Sequence, residues 1–265
     1  MSDLKNKVVW LTGASSGIGE ALAYALAKKE CRLILSSRRT DELQRVKKQC
    51  AGSPSNICIL QIDLNDTPSL VKATEDAIQC FGHIDILINN GGISQRSTVL
   101  ETSMEVFRKL FEVNFFGAIA LTKYLLPHFI SRKQGQFVVI SSVAGKYSPP
   151  KRSGYAATKH ALHGFYDSLR AEYWQDNIKV TIVCPGMIKT SISFAALMGD
   201  GTPNNKMDEM QEKGMPAEEC ASQIVSAIEK DKAEVNIGGK EVLMVYIKRF
   251  VPALYRRIIR KVVMK

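Results

Sequence analysis

Short β-prone apolar runs alternate with stretches of helical periodicity through residues 8–237, a glycine-rich turn joins the first run to the first helix, and polar residues gather where the runs end. These three observations predict an α/β fold, a doubly wound parallel sheet with helices on both faces, because strands joined by helical crossovers pair in parallel and bury both sides. The 265 residues, 45% hydrophobic and 23% charged, suit one domain: residues 1–241, with 242–265 as a basic, apolar tail of the same domain.

Residues 8–11 are the first strand, and Thr12-Gly13-Ala14-Ser15-Ser16-Gly17-Ile18-Gly19 turns it into a helix running through residue 28. Glycine lets backbone approach a pyrophosphate, and the free N–H groups of a helix N-terminus favour an anion there. Gly13, Ser15, Ser16, Gly17, Ile18 and Gly19 are therefore candidate cofactor-binding residues of a Rossmann-type sheet. The spacing is G-x-x-x-G-x-G instead of G-x-G-x-x-G, and a glycine-rich turn without a ligand is the alternative.

The second strand, 32–36, ends in Ser37-Arg38-Arg39. An acid at this place takes a ribose 2′-hydroxyl, whereas arginine accommodates a 2′-phosphate, so two arginines and no acid point to NADP(H). The alternative is a pair of solvated loop charges balanced by Asp41 and Glu42. Residues 40–50 read as a helix capped by Thr40, 57–62 as a strand leading to Asp63 and Leu64, and 69–80 as a helix. Residues 84–88 are an apolar strand ending in Asn89-Asn90-Gly91-Gly92, where Asn90 and Gly91 are placed to line a cofactor.

A long helical region, 104–132, carries Asn114 in an apolar run, and a buried amide there is either a satisfied core group or a site residue. Residues 136–140 form a strand that delivers Ser141 and Ser142. Residues 154–174 form the helix bearing Tyr155 and Lys159, and 179–183 a strand running into Cys184-Pro185-Gly186. Residues 187–215 loosen into a lid-like segment with apolar members to cover a hydrophobic substrate or simply to pack, before a last helix (216–230) and strand (234–237).

The chemistry concentrates in residues 141–159. Tyr155 and Lys159 are four apart on a helix and share a face, so the ammonium is placed to favour phenolate and lower a pKa that starts near ~10. Ser142, thirteen residues before Tyr155, is placed to hold a carbonyl or alcohol oxygen against the phenol. Alone the Tyr/Lys pair is weak, since such spacing is common on helices.

The six cysteines show neither a C-x-x-C pair nor a His-bearing ligand spacing, which predicts free thiols, no metal site and a reducing cytoplasm. No signal peptide or long uninterrupted apolar run appears. Of the net charge of +10, residues 240–265 hold +7 (eight Lys/Arg, one acid), leaving +3 for the body, which argues against nucleic acid. The tail's interleaved apolar and basic residues fit either packing on protein, favoured because Pro252 splits a continuous face into two pieces, or peripheral membrane contact.

In these residues the chain resembles the short-chain dehydrogenase/reductase family, in its hydroxysteroid dehydrogenase-like branch, over roughly residues 5–237. Thr12 to Gly19 is similar to the cofactor turn, and Asn114, Ser142, Tyr155 and Lys159 to the catalytic tetrad. Pro185-Gly186 with Thr190 is similar to P-G-x-x-x-T, and N-N-G-G stands where the family has N-N-A-G. The resemblance implies hydride transfer between a nicotinamide and a carbonyl or secondary alcohol. It makes Tyr155 the general acid/base, Ser142 the orienter of the substrate oxygen, Lys159 the group that lowers the tyrosine pKa and holds the ribose, and Asn114 the anchor of a relay water. It also implies that Asp63 meets adenine, that Asn90 lines the nucleotide, and that Ile188 and Thr190 touch the carboxamide. The expectation is an NADP(H)-dependent oxidoreductase with an apolar small-molecule substrate, assembled as a dimer or tetramer. A non-catalytic NADP(H) sensor or scaffold of the same fold is the alternative.

Overall fold

The computed structural model describes residues 3–262; Met1 and Ser2, and residues 263–265 of the tail, lie outside the described residues. The chain runs β1 (Val8–Thr12), α1 (Gly17–Lys28), β2 (Arg32–Ser37), α2 (Thr40–Gln49), β3 (Ile57–Gln61), α3 (Leu70–Phe81) and β4 (Ile86–Asn89). It continues through α4 (Met104–Phe111), a π-helical turn (Glu112–Phe116), α5 (Gly117–Arg132), β5 (Gly135–Ile140), α6 (Ser153–Glu172) and β6 (Ile178–Pro185). Two-residue strands β7 (Ile188–Lys189) and β8 (Met215–Pro216) flank α7 (Glu209–Glu212). Then come α8 (Ala217–Glu229), β9 (Glu234–Ile237), α9 (Leu243–Phe250) and α10 (Pro252–Ile259).

Seven strands form one parallel sheet in the order β3-β2-β1-β4-β5-β6-β9. Successive side chains of a strand point to opposite faces, and β1 divides accordingly. Val9 and Leu11 pack with Leu22 and Leu26 of α1 and Ile224 and Ile228 of α8, while Val8 and Trp10 pack with Leu121, Leu125 and Phe129 of α5 and Leu162 and Tyr166 of α6. Both faces being covered explains why the strands read as unbroken apolar runs. The order reverses between β1 and β4, which opens a crevice at the carboxyl ends of those strands, where the glycine turn and Asn90 sit.

Two local expectations change, at Thr40 and at two of the cysteines. Thr40 is the first residue of α2, not its cap, and Arg39 at the cap position makes no side-chain capping bond. The region Met104–Arg132 is long and apolar enough to pass for a membrane span by composition, yet Leu121, Leu125 and Phe129 are buried against the sheet. Cys58 and Cys80 are bonded as a disulfide, whereas Cys31, Cys50, Cys184 and Cys220 are free. The fold of β3 back onto α3 brings the pair together across 22 residues, a juxtaposition invisible in the spacing alone.

Candidate active site

The glycine turn is held by atoms that leave no room for side chains. Gly13 (φ +65°) and Gly17 (φ +58°) are left-handed, a conformation glycine adopts at no steric cost. A Cβ on Gly19 would lie 2.1 Å from the Gly13 carbonyl oxygen. Asn90 Nδ2 donates to the carbonyls of Thr12 (3.0 Å) and Gly13 (3.2 Å), while the Asn90 and Gly91 amides donate to Thr12 Oγ1 at 3.0 Å. The turn and the end of β4 are thus one rigid cradle, of the kind a backbone-bound pyrophosphate requires.

Arg39 closes one side of this cradle. Its Nη2 donates to Ser15 Oγ (3.0 Å) and Ser16 Oγ (3.1 Å), and its amide to Ser37 Oγ (3.1 Å). Neither arginine pairs with Asp41 or Glu42; Glu42 and Glu20 instead hold Arg45. Arg38 is exposed and lines a separate cleft of about 480 Å³ with Ile62, Asp63 and Lys72, so of the two arginines only Arg39 meets the glycine turn. Asp63 Oδ1 accepts from the Asn65 amide, and Leu64 faces both Gly91 and Gly117. Ile18 packs on the core edge of α1.

Beyond β4 the catalytic candidates converge. Asn114 is 1% exposed on the π-helical turn; its Oδ1 accepts from the Ile93 amide (2.7 Å), and its Nδ2 donates to the Ile93 carbonyl (2.9 Å) and Thr158 Oγ1 (3.2 Å). Thr158 in turn donates to the Tyr155 carbonyl at 2.7 Å. Lys159 Nζ donates to the Ile140 carbonyl at 2.8 Å. A side chain built on Gly92 would meet Asn114 Oδ1 at 3.1 Å and Lys159 Nζ at 3.7 Å, so both groups border one space at the end of β4. Ser142 Oγ accepts from the Ala144 amide (3.1 Å) and donates to the Pro185 carbonyl (3.3 Å), which ties β5 to β6. Ser141 Oγ donates to the Lys159 carbonyl (3.2 Å) and meets His163 Nε2 (3.0 Å), which locks α6 onto β5.

Burial dominates the titration of this centre. It raises the Tyr155 phenol, against which the Ser142 hydroxyl and the charges of Arg152 and Arg96 act downward. It pushes the Lys159 ammonium down to about 8. Lys159 Nζ lies 5.7 Å from the Tyr155 ring centroid and donates to the Ile140 carbonyl, and the charges acting downward on the phenol include those of Arg152 and Arg96.

Residues 187–215 cover this edge of the sheet. Ile188 is 2% exposed and pairs with Met215, Thr190 Oγ1 accepts from Gln211 Nε2 (3.1 Å), and the Thr190 methyl lies against Gly17. The segment is stitched to the loop after β4 by Arg96 N to Leu197 O (2.8 Å) and Leu197 N to Ser94 O (2.9 Å). Gly186 has Glu241 where its side chain would be, and Glu241 Oε1 accepts from the amides of Met187 (2.8 Å) and Gly239 (3.1 Å). The tail forms the two short helices expected from Pro252. Its α9 and α10 reach the site loop through Lys248 Nζ to Lys146 O (2.7 Å) and through Tyr255 against Tyr147 and Ser148, while Leu243, Tyr246, Phe250, Val251 and Leu254 stay exposed. Sequence reasoning missed Arg96, Arg152, Asp208 and Glu241. Only Arg152, three residues before Tyr155, had a local signal.

The short chain dehydrogenase family profile matches residues 7–197. The chain is similar to dehydrogenase/reductase SDR family protein 7-like of Anopheles gambiae, 42% identical over 264 residues covering 97% of this chain and 83% of that protein. It is similar to dehydrogenase/reductase SDR family member 7 of Homo sapiens, 43% identical over 256 residues, 94% and 76% of the two chains. A solved short-chain dehydrogenase from Streptomyces avermitilis has a TM-score of 0.82 at 30% identity, over 97% of this chain and 96% of that one. With the sheet order and the glycine cradle, these likenesses establish that the chain belongs to the short-chain dehydrogenase/reductase family of nicotinamide-dependent oxidoreductases.

Proposed function

We propose that the protein is an NADP(H)-dependent oxidoreductase acting on the carbonyl or secondary alcohol of a largely apolar small molecule, with Tyr155 as general acid/base. The observation that carries this reading is that the glycine cradle, Asn114, Ser142, Tyr155 and Lys159 all lie along one edge of the sheet, with the Arg39 guanidinium set on the serines of the cradle. The cradle fits a dinucleotide, because its glycines exclude the side chains that would displace one. When bound, the nicotinamide supplies or accepts a hydride.

The remaining work falls to this chain's own groups. Gly13 to Gly19 and Asn90 with Gly91 hold the nucleotide backbone, Ser37 and Arg39 receive a ribose 2′-phosphate with Arg38 at its edge, and Asp63 and Leu64 border the adenine. Pro185, Gly186, Ile188 and Thr190 border the nicotinamide. Ser142 orients the substrate oxygen, and Tyr155 gives that oxygen a proton in reduction and removes it in oxidation. Lys159, buried and close to neutral pH in its titration, holds the ribose hydroxyls. Asn114 is a positioning residue: its bonds to Ile93 and Thr158 fix the turn of α6 that carries Tyr155.

Assembly into a dimer or tetramer belongs to the same reading, supported by a 560 Å³ cleft along α5 and α6 lined by Phe116, Ile119, Tyr124 and Phe165. Peripheral membrane contact is supported by the exposed apolar residues of α9 and α10 beside Arg249, Arg256 and Arg257. The functional test is a panel of ketones and aldehydes with NADPH or NADH, in wild type and Arg39→Ala. Turnover should favour NADPH, and the substitution should cut that preference by roughly 10-fold or more, the worth of a charged hydrogen bond. An unchanged preference assigns the phosphate elsewhere.

A further inference from the structure

The buried charges beside Tyr155 do not balance. Arg96 Nη2 lies 3.1 Å and Arg152 Nη2 3.2 Å from the same Asp208 Oδ2. Both arginines are 8% exposed, and the Asp208 side chain 9%. Two guanidiniums on one carboxylate leave a positive charge over, and an uncompensated charge held away from water is strongly disfavoured. The donors do not balance either. Arg96 Nη1 is satisfied by Ser94 Oγ (3.2 Å) and the Gln95 carbonyl (2.8 Å), but the buried Nε of Arg152 has no hydrogen-bond partner among the described residues. A second anion would answer both deficits.

The two arginines stand on the loop after β4 and at the start of α6, whereas Asp208 comes from a separate segment. Arg152 immediately precedes α6, and Gln95 Oε1 accepts from the amides of Gly154 (2.8 Å) and Tyr155 (3.3 Å), so the loop bearing Arg96 and the start of α6 are one unit. Asp208 comes from the covering segment 187–215, where its Oδ1 caps the four-residue helix α7 through the Met210 amide (3.0 Å). Asp208 thus belongs neither to the sheet nor to α6. Arg152 lies three residues before Tyr155, and Gln95, next to Arg96, holds the Tyr155 amide, so the pair stands at the end of α6 that carries the tyrosine. A guanidinium's planar fork matches a carboxylate or phosphate oxygen pair in a way that a point charge does not.

We propose that Arg96 and Arg152 bind an anionic oxygen group of the substrate, a carboxylate or a phosphate monoester set near the reacting carbonyl, and that Asp208 is the internal anion the substrate displaces. This inference rests on the oxidoreductase reading and gives the apolar substrate a charged end.

The test compares three ketones on one carbon skeleton, a β-keto carboxylate, its methyl ester and the matched keto alkyl phosphate, as kcat/KM with NADPH saturating. Wild type should prefer an anionic ketone to the ester by about 10-fold or more, as charge-assisted hydrogen bonds of about 1.5–3 kcal/mol imply. Arg152→Gln and Arg96→Gln should bring that ratio to about 1 through KM, and Asp208→Asn should raise it. The carboxylate and phosphate arms show which anion fits better. A ratio near 1 in wild type, or one unmoved by either arginine substitution, overturns the proposal. With NADPH bound, inorganic phosphate or propionate should also raise the melting midpoint of wild type more than that of Arg152→Gln. This second measurement keeps its meaning if no ketone is turned over, a result that would count against the oxidoreductase reading alone; equal midpoint shifts in the two proteins count against the arginine site.

Discussion

Burial sets the chemistry of single residues here, and His163 records it as plainly as Tyr155. Its ring lies between Ser141 Oγ (3.0 Å), Cys184 Sγ (3.6 Å) and Glu234 Oε2 (3.6 Å), and burial pushes its pKa down to about 4. Because the folded value lies below the ordinary 6.5, the unfolded chain binds the proton first. Stability from this group is full above pH 6.5 and falls as pH drops from 6.5 to about 4, by about 3 kcal/mol in all. Urea titrations should therefore show wild type losing more stability than His163→Gln between about pH 7 and about pH 4.5; parallel losses would show that the histidine is not the acid-sensitive group. At this scale the sequence marked Ser142, Tyr155 and Lys159 by type and spacing. It was silent on the Arg96–Asp208–Arg152 cluster, because partners 112 residues apart meet only when the covering segment folds over the site.

At the scale of elements, the turn carrying Asn114 explains why a polar residue sits inside an apolar helix. A π-helical turn widens the hydrogen-bond ladder and often marks a functional position. Here it lets the Asn114 amide pair with both backbone groups of Ile93. Asn114→Ala would orphan those half-buried groups, at up to about 1–3 kcal/mol for each. The denaturation midpoint should drop accordingly, and turnover should fall with it as the Thr158–Tyr155 link loosens. A variant with wild-type stability and rate would make Asn114 a bystander. The helical periodicity of residues 104–132 was legible, but the change of ladder within it was not, since no single residue type encodes a π turn. The two pieces of the tail were legible from Pro252, whose ring cannot continue α9. Glu241, which holds Gly186 and Met187 and so ties the tail to the site, carried no local signal.

For the whole molecule, the decisive feature is that β1 and β4 part their connections to opposite sides, so that a crevice opens at their carboxyl ends, where the glycine turn and Asn90 sit. The alternation of apolar runs and helices made that architecture legible, because a sheet buried on both faces needs continuous apolar strands. Strand order and the closing of the 187–215 segment were not, since both depend on contacts far apart in sequence. In the proposed function this crevice turns over a carbonyl with Tyr155 as its proton donor. That role is tested most directly by NADPH oxidation with a reducible ketone in wild type and Tyr155→Phe, with NADPH affinity measured on the same samples. The expected rate loss is at least ~100-fold, the usual worth of a positioned general acid, with cofactor affinity retained. A Tyr155→Phe protein that binds NADPH and reduces the ketone at the wild-type rate would contradict it.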